Sequence, residues 1–367
     1  MFRWKRKNED AGAGARFLDR PVVPTRKVNL DKLSVYRASQ FPADGGPAPW
    51  LDSPDAEARI QARLDSGEID SGEAELCRKW ARDGYLILEN FFHEETLDNA
   101  WNAYEREIAS GAVTPPVETM FDGDTLPGRV ANVHFHVEEM DQVMHDQGMP
   151  KIMSLLVGGK AIPFQTIVGH KSSQQLEHSD SIHMTTYPTG YLAANWIAFE
   201  DIHPDSGPLI YYPGSHKLPY VFSEELGMEM DQEYKEYRRV YEPAIQKVIK
   251  DNQLVGKYFL PKKGDVLLWH ANLLHGGSKL NGSAHPSRKA LVCHFFGAGC
   301  VCYHDLTGTP AHIQLNSTDK LYKHKGLPGN FSASDYLAAN PDVARMGVDP
   351  GKHYLEHGRA EGRRLRP

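Results

Sequence analysis

The first part of the chain has the pattern of an arm followed by two helices. Residues 1–70 are rich in Pro, Gly, Asp and Arg and show little apolar periodicity, which predicts an extended or partly ordered arm. Ser71 can cap a helix whose apolar positions Leu76 and Trp80 lie four apart, and Gly84 ends this helix before an apolar run of strand type. The helix expected at 93–110 carries one apolar stripe, formed by Leu97, Trp101, Tyr104 and Ile108.

Beyond Pro163 the pattern becomes that of a β-structure. Short apolar runs alternate with Gly, Pro, Asp and Ser, as at 191–199, 208–212 and 265–269. A mainly acidic stretch at 223–251 predicts a helical excursion before the strands resume. We therefore expect a mainly β fold with flanking helices, of the α+β class, built as an antiparallel sandwich or barrel.

The last residues have the pattern of a separate unit. Ser332 or Ser334 can cap a helix, Asn340-Pro341 interrupts it, and a second turn is expected near His353. Its few apolar positions predict no self-standing core, so we expect this unit to dock on a neighbouring surface. The predicted parts are an extended arm at 1–70, a main domain at 71–328 and a small helical module at 329–367.

Composition and charge narrow the class of protein. The chain has 367 residues and 40% hydrophobic content, enough for one large core with flanking segments. Its net charge of −7 is spread along the sequence, which predicts no nucleic-acid partner. A transmembrane segment needs about 18 consecutive apolar residues, and neither such a run nor an apolar signal core is found. We expect a cytoplasmic protein whose four cysteines are reduced thiols.

Histidine and acidic residues suggest the chemistry. Two histidines and a carboxylate on one face of an iron ion leave positions open for a cosubstrate and dioxygen. His178 and Asp180 suit this arrangement, because residues i and i+2 of an extended segment point the same way. His275, expected at the end of an apolar strand and followed by two glycines, is a plausible third ligand. Arg288 enters the next apolar run, where an arginine can hold a dicarboxylate through a bidentate pair.

Other histidine-acid triplets compete with the one at His178. About 2.4 such triplets arise by chance from 18 histidines and 48 acidic residues, and the chain has four. Those at His93 and His203 fall at a helix start and in a turn, which predicts surface residues. The triplet from His136 to Glu138 stays an open alternative, because residues 132–137 can form a strand.

A set of short motifs follows in a defined order along the chain. They are DGYLIL at 83–88, HSD at 178–180, WIAFED at 196–201, GPL at 207–209, PGSH at 213–216, and LHGG at 274–277 followed by Arg288. Together they resemble the phytanoyl-CoA dioxygenase family over residues 72–305, and the ordered set is far more specific than any one motif. The resemblance implies a double-stranded β-helix, or jelly-roll, core with helices packed outside it.

The resemblance also implies cofactors and their residues. Iron(II) would be held by His178, Asp180 and His275, and 2-oxoglutarate by Arg288, with Trp196 and Lys171 lining the cosubstrate pocket. Each residue has a structural interpretation as well: Trp196 as a core aromatic, and Arg288 as the partner of a surface acid. His216 is excluded from the metal ligands because PGSH is typical of a rigid turn. His183, His270 and His294 are expected in core or supporting roles.

The implied reaction is hydroxylation of a small-molecule, lipid or glycan-related substrate, with consumption of dioxygen and release of succinate and CO2. Halogenation requires a halide where Asp180 supplies a carboxylate, so this residue argues against it. An alternative of another class is a non-catalytic jelly-roll that binds metal or serves in recognition.

The terminal motifs give one further clue. YLAANPDV at 336–343, HY at 353–354 and GRAEGR at 358–363 resemble a short module of bacterial proteins, several of them concerned with polysaccharide assembly. This resemblance implies a bacterial source and a protein or glycan partner for the C-terminal module.

Overall fold

The computed structural model describes residues 17–23, 36–42, 46–119, 125–146, 148–231, 234–281, 287–312, 331, 333–346 and 350–366. Its helices are α1 (Ala56–Asp65), α2 (Ser71–Asp83), α3 (Glu94–Ala109), α4 (Glu138–Met144), α5 (Gly148–Val157), α6 (Glu242–Asp251), α7 (Ala333–Ala339), α8 (Pro341–Met346) and α9 (Pro350–His353). Its strands are β1 (Tyr85–Leu88), β2 (Val117–Thr119), β3 (Thr125–Pro127), β4 (Val130–Ala131), β5 (Ala161–Gly169), β6 (Thr185–Tyr187), β7 (Leu192–Ala198), β8 (Leu209–Tyr211), β9 (Lys257–Phe259), β10 (Val266–His270), β11 (His275–Gly277), β12 (Ala290–Gly297), β13 (Val301–His304) and β14 (Thr309–His312). Short 3-10 turns lie at Val133–Phe135 and Asp180–Ile182, and a π-helical turn lies at Tyr237–Tyr241.

Helix α2 begins and ends at strong local signals. Asp70 accepts the backbone N–H of Glu73, while the Glu73 side chain accepts the backbone N–H of Asp70, forming a capping box. The cap is therefore Asp70, and the expected cap Ser71 is the first helical residue. Gly84 ends the helix at φ +76°, where a Cβ would lie 2.4 Å from Nδ1 of His216. The turn from α2 into β1 is thus confirmed, with a glycine that both conformation and space require.

A mainly antiparallel sheet with two covered faces forms the centre of the fold. In the described residues its strand order is β1-β10-β7-β12-β5-β4. Side chains alternate along β7: Ala193 and Ile197 belong to the core beneath the helices, whereas Ala194 and Trp196 belong to the opposite core. Every residue of β7 is buried. Burial on both faces explains why every residue of β7 except Asn195 is apolar.

A smaller sheet, ordered β11-β8-β9, packs on the opposite face. Leu209 and Tyr211 from β8 and Phe259 from β9 share one apolar cluster with Trp196 and Trp269 of the large sheet. Antiparallel sheets facing each other are the arrangement of a jelly-roll, as the family resemblance predicts. Of the candidate ligands, His275 opens β11 in this smaller sheet, while His178 and Asp180 lie in the segment between β5 and β6.

The N-terminal arm is not extended throughout. Helix α1 is a ten-residue helix that buries Ala56 and Ile60 and packs against α2, and Trp50 and Leu51 also reach the main core. The sequence pattern did not predict α1 because this helix buries only two apolar residues, too few to form an apolar stripe in the sequence. The boundary expected at residue 70 stays a prediction.

The acidic stretch at 223–251 is helical only in its second half. Residues 223–227 form turns, and regular helix follows the π-helical turn as α6. The backbone N–H of Ser223 donates to Oδ2 of Asp305 at 2.6 Å, so the start of this stretch is bound to a distant part of the chain.

The C-terminal module contains a small core of its own. Tyr336, Val343 and Tyr354 are buried against one another, and the Tyr336 hydroxyl hydrogen bonds with Nδ1 of His353 at 3.0 Å. Asn340, where the sequence predicted a break, separates α7 from α8 and donates to the Tyr336 carbonyl at 2.8 Å. Large aromatic side chains bury much area per residue, so these few residues form a cluster, and the expectation that they make no self-standing core stays a prediction. Docking on another surface stays a prediction.

None of the described helices combines the length and the apolarity that a membrane span requires.

Candidate metal centre

Three predicted ligands converge between the sheets. His178 and His275 form an antiparallel bridge in which each backbone N–H donates to the other's carbonyl at 2.9 Å. Asp180 follows at the start of a 3-10 turn, and one ligand atom from each of the three residues lies within 4.8 Å of the others. All three side chains are buried. In the described part of the chain this is the one cluster of histidine, cysteine and acidic residues with such geometry.

The position of His275 differs from the expectation. The apolar strand β10 ends at His270, and a turn at 271–274 separates it from His275, which opens β11 in the smaller sheet. A Cβ at Gly276 would lie 3.0 Å from the carbonyl of Gln175, so the glycine permits the close approach that the sequence suggested.

Backbone carbonyls fix the orientation of both imidazoles. Nδ1 of His178 lies 2.8 Å from the Leu176 carbonyl, and Nδ1 of His275 lies 3.0 Å from the Leu273 carbonyl. A carbonyl only accepts, so each Nδ1 carries the proton and donates it. Each Nε2 then keeps its lone pair for a metal ion, in the tautomer that metal-binding histidines need.

One carboxylate oxygen of Asp180 accepts a hydrogen bond from the protein, and the other faces the ligand cluster. The indole Nε1 of Trp269 donates to Oδ2 at 2.7 Å, and Nε2 of His294 lies 3.7 Å from the same oxygen. Oδ1 faces the second histidine, 3.5 Å from Nε2 of His275. Burial by itself would raise the pKa of this carboxyl, but His275 and His294 outweigh burial and lower it below the ordinary value. The group is an anion at neutral pH.

The charge state of His178 also suits a ligand. Burial, and then the neighbouring His275 and His183, hold the pKa of His178 well below its ordinary value. A neutral imidazole and an ionised carboxylate are the forms that bind metal. The donor set, two imidazoles and one carboxylate, fits the facial arrangement of non-haem iron(II).

Arg288 lies buried at another part of the same space. Pairing of β12 with β5 places it, because its backbone N–H donates to the His170 carbonyl at 2.7 Å. The side chain is 7% exposed, and one terminal nitrogen donates to the Gly207 carbonyl at 2.9 Å. Its Nε is buried without a hydrogen-bond partner. Burial, and then Arg129, lower the pKa of Arg288 to about 10, so it stays charged at neutral pH.

A buried guanidinium with an unpartnered N–H is costly unless an anion completes it. In the described residues no carboxylate forms an ion pair with Arg288, which excludes the surface-acid interpretation there. The geometry instead fits the carboxylate of a bound ligand.

One cavity of about 990 Å³ contains all six predicted site residues: His178, Asp180, His275, Arg288, Trp196 and Lys171. Trp196 is both a core aromatic, packed edge-on against Phe259, and a wall of this cavity, with its ring centroid 5.7 Å from Cζ of Arg288. Lys171 is half-buried shortly after β5. The structure therefore brings the predicted residues together in one space.

A polar and aromatic wall of this cavity was not foreseen. His183 lies with its ring centroid 5.2 Å from that of His178, and Tyr237 lies 5.1 Å from His183. Gln175 bridges these two, 3.1 Å from Nε2 of His183 and 3.4 Å from the Tyr237 hydroxyl. Tyr234, at φ +58°, is partly exposed at the same wall. A side chain of this size rarely adopts positive φ, and such strain concentrates at functional sites.

The rival triplets do not converge. Residues 133–135 form a 3-10 turn instead of a strand, His134 contacts the Thr166 hydroxyl through Nδ1 at 2.7 Å, and Glu138 is exposed at the start of α4. His93 and His203 lie at a helix start and in an exposed turn, as expected. His216 lies with His270 in a separate cluster, their ring centroids 5.5 Å apart.

Comparison with known proteins finds relatives of this chain. Mouse (Mus musculus) peroxisomal phytanoyl-CoA dioxygenase is 23% identical over 274 residues, which cover 68% of this chain and 76% of that protein. An ectoine dioxygenase of Stutzerimonas stutzeri is 25% identical over 268 residues, covering 69% of this chain and 87% of the relative. The crystal structure of the epimerase SnoN in complex with Fe3+, alpha ketoglutarate and nogalamycin RO superposes with a TM-score of 0.51 at 15% identity, covering 74% and 98% of the two chains.

That structural likeness concerns the fold alone. The sequence model of the phytanoyl-CoA dioxygenase (PhyH) family matches residues 80–290, a span that includes the three converging ligands and Arg288. Because this span is more than half of the chain, the protein belongs to the phytanoyl-CoA dioxygenase family.

Proposed function

We propose that this protein is an iron(II)- and 2-oxoglutarate-dependent dioxygenase that hydroxylates a small-molecule, lipid or glycan-related substrate. The observation that carries the proposal is the presence, in one cavity, of the His178, Asp180 and His275 cluster and the buried Arg288. The histidines and the aspartate would hold iron(II). Arg288 would hold the distal carboxylate of 2-oxoglutarate, with Trp196 and Lys171 beside it.

Iron(II) with 2-oxoglutarate supplies an oxidant from dioxygen, and succinate and CO2 are the products of the cosubstrate. The chain's own residues contribute binding and orientation. The carbonyls of Leu176 and Leu273 keep Nε2 of both histidines available, and Trp269 holds the second oxygen of Asp180. Burial of these groups excludes water from the reacting atoms.

The wall formed by Gln175, His183, Tyr234 and Tyr237 is where we place the substrate. It lies beside His178, whereas Arg288 and Trp196 lie next to each other at another part of the cavity. Aromatic faces together with amide, imidazole and hydroxyl groups suit a substrate that has both apolar and polar parts. The relatives named above act on different compounds by their names, so the substrate is not transferred from them.

A halogenase requires an open position where a carboxylate would stand. Asp180 is buried in the cluster with Oδ1 directed at His275, which favours the dioxygenase over the halogenase. A non-catalytic jelly-roll remains the alternative of another class, and it predicts iron binding without turnover of 2-oxoglutarate.

Succinate release tests the proposal. The purified chain is incubated with iron(II), 2-oxoglutarate and oxygen, and succinate is measured alone and with lipids, amino acids, sugars and acyl thioesters. We expect slow succinate formation without substrate and faster formation with one compound class. No succinate under any condition, with iron bound, would favour the non-catalytic alternative.

A further inference from the structure

The turn at 271–274 determines where the third ligand lies. The Leu273 carbonyl orients the His275 ring, so a shift of this turn moves the ligand. Most backbone groups of the turn bind fixed partners: Ala271 N–H donates to the Leu192 carbonyl at 3.1 Å, and Leu274 N–H donates to the Ser215 hydroxyl at 2.8 Å. The backbone N–H of Asn272 is different, because its acceptor is a side-chain nitrogen.

That acceptor is Nδ1 of His270, 3.1 Å from the Asn272 nitrogen. A backbone N–H only donates, so Nδ1 must carry the lone pair and Nε2 the proton. Nε2 lies 3.0 Å from Oδ2 of Asp52, and a carboxylate only accepts. Both partners therefore require the same tautomer of a ring that is 3% exposed. With the other tautomer, Nδ1–H would face the N–H of Asn272.

Asp52 is anchored independently of His270. Its neighbour Trp50 is buried and donates through Nε1 to the Leu155 carbonyl at 3.0 Å, and Leu51 is buried in the main core. The backbone N–H of Asp52 donates to the Pro49 carbonyl at 3.0 Å. Asp52 lies outside the span 80–290 that matches the family, so it is a contribution of this chain's N-terminal segment.

We propose that Asp52 is a positioning residue of the metal centre. It fixes the His270 tautomer that holds the N–H of Asn272, and through the 271–274 turn it fixes the orientation of His275. The inference rests on the proposed function, since it concerns the same iron site. It gives the N-terminal segment a role in iron binding in addition to its packing.

The first test measures iron(II) affinity by anaerobic titration of the full chain, with the melting temperature of the metal-free protein as a second readout. Groups that hydrogen bond to a metal ligand typically contribute 10–100-fold in metal affinity, and because Asp52 acts through His270 and the turn we expect Asp52→Ala to weaken iron binding by the low end of this range, about tenfold. Asp55→Ala is the matched control, because Asp55 is in the same segment but pairs with Arg59 at the surface. It should bind iron as the wild type does.

Substitutions of His270 separate positioning from packing. His270→Asn places an amide oxygen near the position of Nδ1, so it accepts from Asn272 without needing Asp52, and iron affinity should stay close to wild type. His270→Gln keeps a polar atom near Asp52 but removes the acceptor for Asn272, and iron affinity should fall. In the His270→Asn background, Asp52→Ala should have no further effect on iron affinity.

Three outcomes would overturn the proposal. One is wild-type iron affinity in Asp52→Ala. Another is an equal loss on Asp52→Ala in the His270 and His270→Asn backgrounds, which would show a general packing role. If Asp52→Ala does not fold, His270→Gln takes its place, and full iron affinity in that variant would be equally decisive. Absence of iron binding in the wild type would instead overturn the proposed function, and this inference with it.

Discussion

The two ends of the cavity differ in how many of their polar side-chain atoms have a hydrogen-bond partner within the protein. At the metal end, each ligand has a protein partner on the atom that faces away from the cluster: Leu176, Leu273 and Trp269 supply these partners. At the other end, Arg288 has one bond to a carbonyl and a buried Nε with no partner. The predicted metal ligands are thus held in place by the protein itself, whereas the buried Arg288 keeps an unpartnered N–H, which we propose the carboxylate of 2-oxoglutarate satisfies.

The largest expected effect is loss of a ligand. His275→Ala removes one of three donors, and we expect stoichiometric iron binding to disappear because two remaining groups hold the ion weakly. Anaerobic iron titration measures this loss. His203→Ala, in an exposed turn, is the control and should bind iron normally. Retained iron binding in His275→Ala would remove this residue from the site.

The second largest effect is expected at Arg288, at the end of the cavity away from the metal ligands. Arg288→Ala removes charge-assisted hydrogen bonds, each contributing roughly 1.5–3 kcal/mol, and should weaken 2-oxoglutarate by about one to two orders of magnitude. Iron affinity should hardly change, and calorimetric titration of each ligand separates the two. Arg288→Lys keeps the charge but not the bidentate geometry, so its affinity for 2-oxoglutarate should lie between those of the wild type and Arg288→Ala. An unchanged 2-oxoglutarate Kd in Arg288→Ala would contradict the assignment.

A smaller effect tests preorganisation at the metal end. Trp269→Phe keeps an aromatic ring but loses the N–H that holds Oδ2 of Asp180. We expect iron affinity to fall about tenfold while 2-oxoglutarate affinity of the iron-loaded protein stays unchanged. Trp101→Phe is the control, because its indole donates to Glu105 at 2.6 Å away from the metal cluster. Equal effects of the two substitutions would show that only packing is being measured.

The smallest effect is expected from the C-terminal module. A chain ending at Gly329 lacks the module, whose aromatic residues bury one another in a separate cluster. Iron affinity and succinate formation without substrate should be unchanged, even if docking contacts are lost and the melting temperature falls. Loss of iron binding in a truncated chain that still folds would place the module in the active site.

The convergence of His178, Asp180 and His275 was predictable because the signals for it are local. The spacing of His178 and Asp180 and the glycines after His275 each follow from backbone geometry over a few positions. The place of Arg288 was predictable for a similar reason, because it comes directly before the apolar run that forms β12. The structure adds the tautomers and the hydrogen-bond partners, which no spacing encodes.

The features that the sequence did not predict depend on contacts between segments that are far apart in the chain. Asp52 and His270 are 218 positions apart, and nothing near Asp52 marks it as the partner of a histidine. Helix α1 has too narrow an apolar face to be seen in the sequence, and the positive φ of Tyr234 has no glycine or asparagine to signal it. These features arise from tertiary packing, which overrides local propensity.

The most direct test of the central claim is an iron(II) titration of three proteins under anaerobic conditions: the wild type, His178→Ala, and the double variant His136→Ala, Glu138→Ala. We expect one iron per chain in the wild type and in the double variant, and no stoichiometric binding in His178→Ala. Iron binding that survives in His178→Ala but is lost in the double variant would contradict the account.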